Sequence, residues 1–221
     1  MQNKNFQHEI INYFAPGDIY FDIGAHKGDK AIQFISKNYE VVLVEPQPMC
    51  INYLKELFAD NKRVHILQSG LGDRSDVLEL SINSQEPVLT TFNEEWKTGR
   101  FSKSNWDLKL DVPITTIDNL INKYGQPRYI KIDVEGYEFN VIKGLTRKSG
   151  LISFEFTSEF MRNTSRCISY LNSIGYKNYN FSQADDLNFL LDNWLDAESF
   201  ENLIKDLSSK YNGLWGDIYA N

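Results

Sequence analysis

Several residues that could take part in catalysis lie in one short segment, Lys131-Ile-Asp-Val-Glu-Gly136, at the end of a short apolar run. Its carboxylates, Asp133 and Glu135, could accept a proton from a hydroxyl as a general base or ligate a divalent cation, and the sequence leaves both roles open. A buried lysine needs a partner, and for Lys131 we expect Glu155, near the end of the next predicted strand. Asp133, Glu135, Lys131 and Glu155 are therefore the predicted catalytic residues, although the Lys131–Glu155 pair would serve equally well as a structural ion pair.

A second segment, from Phe21 to Gly28, sets Gly24 and Gly28 between an apolar run and an amphipathic stretch. Glycine at a strand-to-helix turn permits positive φ and close approach of a ligand, and the helix start offers unpaired N–H groups. Asp22 precedes the first glycine. Glu45 ends the next predicted strand, where a carboxylate of a doubly wound sheet accepts hydrogen bonds from a ribose diol.

The spacing and charge of this turn favour S-adenosylmethionine over a dinucleotide. The fingerprint G-x-G-x-x-G is absent, because His26 stands where its second glycine would be. The Asp22 carboxylate would repel a pyrophosphate, whereas it suits the α-ammonium group of a phosphate-free sulfonium cofactor. His26 is expected to shape the turn or contact the cofactor. Two alternatives stay open: a nicotinamide-dependent oxidoreductase, and a Glu45 that merely turns the chain before Pro46.

Short apolar runs alternate with amphipathic stretches, which is typical of β-α-β units around a parallel sheet with helices on both faces. The pattern predicts strands at 18–23, 41–44, 63–68, 128–132, 151–156, 176–181, 187–191 and 215–220, and helices at 29–37, 48–59, 116–124, 165–173 and 197–209. Residues 76–113 alternate as antiparallel strands do and are predicted to form an insertion over the acceptor pocket, with Thr90, Thr91 and Trp96 as contacts.

Size and composition indicate a single domain over residues 1–221, with an N-terminal helix or extension at 1–17 and a C-terminal helix and closing segment at 193–221. The net charge of −7 argues against a nucleic-acid partner, because phosphate backbones attract basic surfaces. No apolar stretch is long enough to span a bilayer. Cys50 and Cys167 are scattered, as expected in a reducing compartment, so we expect a cytoplasmic protein.

Five motifs in this order resemble those of FkbM-family methyltransferases over about residues 18–156: Asp22-Ile-Gly-Ala-His-Lys-Gly28, Glu45-Pro46, Gly70-Leu-Gly-Asp73, Thr116-Ile-Asp-Asn-Leu120 and Lys131-Ile-Asp-Val-Glu-Gly-Tyr-Glu138. The resemblance implies a seven-stranded Rossmann-like sheet and S-adenosylmethionine-dependent O-methylation of a hydroxyl on a sugar, glycan or small natural product.

The resemblance also assigns the cofactor-binding residues by position: Asp22, Gly24, Ala25, His26, Gly28, Glu45, Pro46, Leu71, Gly72, Asp73 and Asp133. Among these, the segment from Leu71 to Asp73 would lie near the adenine, and Asp133 near the methionine end. Many family members carry Asn in place of His26, and the tail after Asp192 matches the family pattern poorly. A methyltransferase-like module that binds a partner without catalysis is a further alternative.

Overall fold

The computed structural model describes residues 14–98, 101–184, 186 and 188–221. Its strands are β1 (Ile19–Ile23), β2 (Glu40–Glu45), β3 (Val64–Gln68), β4 (Gly70–Leu71), β5 (Asp76–Ile82), β6 (Leu108–Thr115), β7 (Tyr129–Ile132), β8 (Leu151–Thr157), β9 (Tyr179–Gln183) and β10 (Trp215–Ala220). Its α-helices are α1 (Asp29–Ser36), α2 (Pro48–Leu57), α3 (Glu94–Thr98), α4 (Ile117–Tyr124), α5 (Glu138–Lys143), α6 (Met161–Ser173) and α7 (Ala197–Lys210).

Seven strands form the main sheet in the order β3-β2-β1-β7-β8-β10-β9. Five neighbouring strands, β3, β2, β1, β7 and β8, run parallel to one another. Strand β10 is antiparallel to both β8 and β9. Helices cover both faces, with α4 to α7 in one core cluster and α1 and α2 in the other. The predicted seven-stranded α/β fold is thereby confirmed.

The two faces of the central strands differ in chemistry. Side chains alternate along a strand, and residues paired across strands share a face. One face is entirely apolar at β1 and β7, where Phe21 and Ile130 pack against the helices of the larger core. On the other face Asp22 of β1 lies in register with Lys131 of β7, which lies opposite Ser153 of β8. A buried polar row therefore crosses the sheet beside its carboxyl edge.

The predicted antiparallel insertion is confirmed. Strands β5 and β6 pair antiparallel, and β4 joins them in parallel to make a second sheet in the order β4-β6-β5. Leu80, Val112 and Ile114 form its small core. The helix α3 lies between β5 and β6 in the chain, with Trp96 as its buried residue.

Several predicted boundaries differ from the structure. Helix α6 begins at Met161 rather than at 165, after a 3₁₀ turn at Ser158–Phe160, and no side chain caps its start to signal the boundary. Strand β9 begins at Tyr179 rather than at 176, because Tyr176 is buried in the core as part of a loop and bonds Ser149 through its hydroxyl.

The described part of the strand predicted at 187–191 forms a loop, held by hydrogen bonds between the Asn180 side chain and the Leu191 backbone. Most of the predicted extension at 1–17 lies outside the described residues. No helix within the described ranges has the length and apolar character needed to cross a membrane.

Candidate active site

A cavity of about 270 Å³ lies at the carboxyl ends of β1, β2 and β7. This position is where open α/β sheets bind ligands. The residues predicted from sequence that line it are Asp22, Gly24, Ala25, His26, Glu45, Pro46, Leu71, Lys131, Asp133 and Glu135. The structure thus brings most of the predicted site residues to one place, and their individual roles stay predictions.

Gly24 is required by the chain itself. Its φ is +85°, and a Cβ atom on it would lie 1.7 Å from the carbonyl oxygen of Asp133. The strand ends are tied on both sides, because the Gly24 N–H donates to the Val44 carbonyl at 2.9 Å and the Asp133 N–H donates to the Ile23 carbonyl at 2.9 Å. The glycine therefore lets β1 and β7 end side by side, so that Asp22 and Asp133 reach one cavity.

Glu45 is buried at the end of β2 and faces the same cavity. Each of its carboxylate oxygens accepts one backbone N–H, from His26 and from Gln47, both at 2.9 Å. Burial raises the pKa of Glu45 to about 7, although these two hydrogen bonds favour the ionised form. A carboxylate has further lone pairs. Glu45 can therefore fix the turn at His26, whose φ is +46°, and still accept hydrogen bonds from a ligand.

The predicted pairing of Lys131 with Glu155 is wrong. Lys131 Nζ lies 2.6 Å from Asp133 Oδ2, and only 5% of the lysine side chain is exposed. Because Lys131 is in register with Ser153, Glu155 lies two residues further toward the carboxyl edge of β8. Asp133 follows Lys131 by two residues and places its carboxylate on the same side of the sheet.

Lys131 neutralises a group of buried aspartates. Asp22 is 2% exposed and Asp217 of β10 is 7% exposed. Burial opposes the charge of Lys131, but Asp133, Asp217 and Asp22 outweigh this effect and raise its pKa above the ordinary value. Burial also raises the pKa of Asp22 to about 6, against the favourable field of Lys131. The sequence pattern did not single out Asp217, because its strand lies in the tail that lacks motifs.

Asp133 also belongs to a cluster of three carboxylates. Asp133, Glu135 and Glu155 each place one oxygen within 4.8 Å of the other two. Burial raises the pKa of Glu135, and Asp133 and Glu138 raise it further. Burial likewise raises the pKa of Glu155, and the neighbouring acids add to the effect. Such a cluster can take up a proton, and its hard oxygen ligands also suit a divalent cation, so both predicted roles are retained.

Glu138 holds the loop that carries Glu135, a role that the sequence analysis missed. The Glu138 carboxylate is buried and accepts the N–H groups of Val134 at 3.2 Å and Gly136 at 3.0 Å. On the other side, the Thr91 hydroxyl donates to the Glu135 carbonyl at 2.7 Å. Glu135 has φ +53°, which is uncommon for a residue with a side chain, and these bonds hold it there. In the sequence, the signal for this role of Glu138 was an acidic residue two positions after Gly136.

Some predicted residues lie away from the cavity. Gly28, Gly72 and Asp73 do not line it, and Asp73 instead forms an ion pair with Lys143 at 2.6 Å. Glu155 does not line the cavity either, although it belongs to the carboxylate cluster beside it. Of the predicted acceptor contacts, Thr90 lines the cavity and Thr91 supports Glu135. Trp96 does not line the cavity, because it is buried and stacks on Phe160.

Three solved structures illustrate the proteins to which this fold is similar. Precorrin-6y C5,15-methyltransferase from Geobacter metallireducens is 10% identical, with 94% of this chain and 81% of that chain covered and a TM-score of 0.49. Fibrillarin from Aeropyrum pernix, in complex with natively bound S-adenosyl-L-methionine, is 12% identical, with coverages of 94% and 67% and a TM-score of 0.48. An rRNA methylase from Streptococcus thermophilus is 8% identical, with coverages of 96% and 90% and a TM-score of 0.46. Likenesses of this size say nothing about the substrate.

The family of the chain is shown by its sequence. No curated protein sequence matches the chain at a significant level. The family model of the methyltransferase FkbM domain, however, matches residues 22–178, which is more than half of the chain. The match confirms the predicted resemblance, and S-adenosyl-L-methionine is the methyl donor. By this match the chain belongs to the FkbM methyltransferase family.

Proposed function

We propose that this protein transfers a methyl group from S-adenosyl-L-methionine to a hydroxyl of a sugar, a glycan or a small natural product. The observation that carries the proposal is one cavity with two sets of carboxylates. Asp22 and Glu45 are buried carboxylates of its lining, whereas Asp133 and Glu135 are partly exposed and belong to the carboxylate cluster with Glu155. The first set suits a cationic nucleoside, and the second suits an acceptor that must lose a proton.

The buried carboxylates fit the donor. Glu45 keeps lone pairs for the two ribose hydroxyls, and Asp22 offers a buried carboxylate to an α-ammonium group. When bound, S-adenosyl-L-methionine supplies an electrophilic methyl group on a positively charged sulfur. Acidic side chains outnumber lysines in the cavity lining by five to two, which suits a cationic ligand. Leu71 and Val134 add apolar contact surface to the lining.

We assign Glu135 as the base that takes the hydroxyl proton. Asp133 is less suited, because its carboxylate is bound to Lys131 at 2.6 Å. Burial and the neighbouring acids raise the pKa of Glu135, so its carboxylate binds a proton more strongly than an ordinary glutamate. Catalytic bases work best when their pKa lies near the operating pH. Methyl transfer also requires in-line alignment, which the fixed backbone at Glu135 would support.

Two measurements test the proposed function. Calorimetric titration with S-adenosyl-L-homocysteine is expected to show binding, and Glu45→Ala is expected to weaken it. Incubation with labelled S-adenosyl-L-methionine and a panel of sugars, glycans and small hydroxylated natural products is expected to label at least one acceptor. Unchanged affinity in Glu45→Ala would show that the donor pocket is misplaced. Binding without turnover on every panel member would favour the non-catalytic module.

The affinity for S-adenosyl-L-homocysteine should rise with pH. The pKa values of Glu45 and Asp22 are raised to about 7 and about 6, so both carboxyls take up protons as the pH falls through this range. The ligand requires their ionised forms, and its affinity should increase by about tenfold or more between about pH 5.5 and 8. Calorimetry in matched buffers measures this change.

Two glutamine variants, one test and one control, check this pH dependence. Glu45→Gln should lower the affinity at high pH and remove the part of the pH dependence near 7, whereas the part due to Asp22 should remain. Glu56→Gln, an exposed position on α2, should behave as the native chain does. A pH-independent affinity in the native chain would contradict the assignment of both carboxylates.

A further inference from the structure

A groove of about 420 Å³, the side groove, lies beside the cavity. Its walls come from the insertion at Phe92–Glu95, from the segment 136–140 that begins α5, and from the first turns of α6. Phe92 and Tyr137 line both the cavity and the side groove, with their rings 5.5 Å apart. The side groove therefore begins one residue beyond Glu135, at Gly136.

The wall next to Glu135 is fixed by contacts between the insertion and the loop. The Asn93 amide donates to the Gly136 carbonyl at 2.7 Å. Gly136 has φ +87°, and a Cβ atom on it would lie 2.7 Å from Trp96 Cε3. The Phe160 ring stacks on Trp96 at 5.0 Å between centroids and joins this wall to the start of α6. A preformed wall lowers the entropy cost of binding a ligand.

The opposite wall carries two exposed arginines one turn apart on α6, Arg162 and Arg166. Neither guanidinium has an ion-pair partner among the described residues. Arg166 lies 3.9 Å from the centroid of the Phe139 ring, which holds the guanidinium plane and leaves its N–H edges for a ligand.

The charges in the side groove are mixed. Glu94, Glu95 and Glu159 line it together with the two arginines, and Glu94 is engaged by Lys97 at 2.6 Å. Hydrogen-bond donors and acceptors thus stand beside aromatic rings without an excess of positive charge. A neutral ring with many hydroxyls matches this surface, because its hydroxyls both donate and accept and its C–H face packs on an aromatic ring.

We propose that the side groove binds a second sugar ring, so that the acceptor is an oligosaccharide whose neighbouring ring presents its hydroxyl to Glu135. The inference rests on the proposed function, since it requires a glycan acceptor. Arg166 is the residue that determines this specificity, by donating to the hydroxyls of the second ring. Asn140, at the end of the wall formed by α5, is a further polar group within the groove.

The test compares acceptors of increasing length. Labelled S-adenosyl-L-methionine is supplied with monosaccharides, namely glucose, mannose, galactose, rhamnose and glucuronate, and with the disaccharides and trisaccharides built from them. For the series that is methylated, kcat/KM should be about tenfold or more higher for the disaccharide than for the monosaccharide, which corresponds to one well-made polar subsite. Arg166→Ala should reduce this ratio toward one. Arg147→Ala, an exposed arginine outside the side groove, should leave the ratio unchanged.

The outcomes separate the two proposals. If sugars are methylated but kcat/KM does not depend on chain length, or Arg166→Ala leaves the ratio intact, the side-groove proposal is overturned and the proposed function stands. If only acceptors that carry glucuronate gain from the second ring, the groove binds an anion and the proposal of a neutral ring is wrong. If no saccharide is labelled but a hydroxylated natural product of the acceptor panel is, the glycan assignment and the side-groove proposal both fail, whereas methyl transfer to a hydroxyl stands.

Discussion

Replacement of Glu135 by glutamine is expected to lower kcat by about 10²- to 10⁴-fold, the range that a positioned general base contributes. Glutamine keeps the size and the hydrogen-bonding backbone of the residue but cannot accept a proton at neutral pH. The loop should remain in place, because Thr91 and Glu138 bind its backbone and not the Glu135 side chain. Affinity for S-adenosyl-L-homocysteine should therefore be largely kept, and steady-state kinetics with calorimetry measure both quantities.

The pH dependence of kcat is a second test of Glu135 as the base. Burial, Asp133 and Glu138 raise the pKa of Glu135, so the protonated form persists above the ordinary range of a glutamate. The base is the ionised form, and kcat should rise with pH as the proton leaves. Glu135→Gln should lack this rising limb. Glu86→Gln, at an exposed position of the insertion, should keep both the limb and the rate. A Glu135→Gln enzyme with native kcat would exclude the residue as base.

Alanine at Gly24 is expected to destabilise the fold by about 2–5 kcal/mol, the sum of overpacking and a left-handed backbone. The added Cβ would lie 1.7 Å from the Asp133 carbonyl oxygen, and backbone cannot yield as a flexible side chain can. Relief of the contact would separate the ends of β1 and β7, which carry Asp22 and Asp133. The melting temperature should fall by roughly 4–20 °C, and affinity for S-adenosyl-L-homocysteine should fall with it.

Gly17→Ala is the matched control for this substitution. Gly17 has a similar φ of +91°, but no atom lies within 4 Å of the position that its Cβ would take. Alanine there should cost only the left-handed backbone penalty of about 1–2 kcal/mol and leave ligand affinity unchanged. Equal losses of stability in the two variants would show that the contact with Asp133 is not the cause.

The sequence by itself determined the fold class and about half of the residues that line the cavity. Short apolar runs that alternate with amphipathic stretches can bury their surface only as a parallel sheet between helices, and polar residues after such runs meet at its carboxyl edge. Asp22, Glu45 and Asp133 were found in this way, since each lies within one residue of the end of a predicted strand and each lines the cavity. The cofactor was predicted from the same residues, because charge and glycine spacing are readable without coordinates.

Only the tertiary structure decided which of these residues touch. Lys131 pairs with Asp133 and not with Glu155, because strand register sets the neighbours of a buried side chain and no sequence pattern specifies register between distant strands. Gly24 is needed for the approach of a distant carbonyl, which sequence spacing cannot show. The side groove likewise exists only where the insertion, α5 and α6 meet. Local patterns fix the elements and their polar ends, whereas distances between side chains arise from packing.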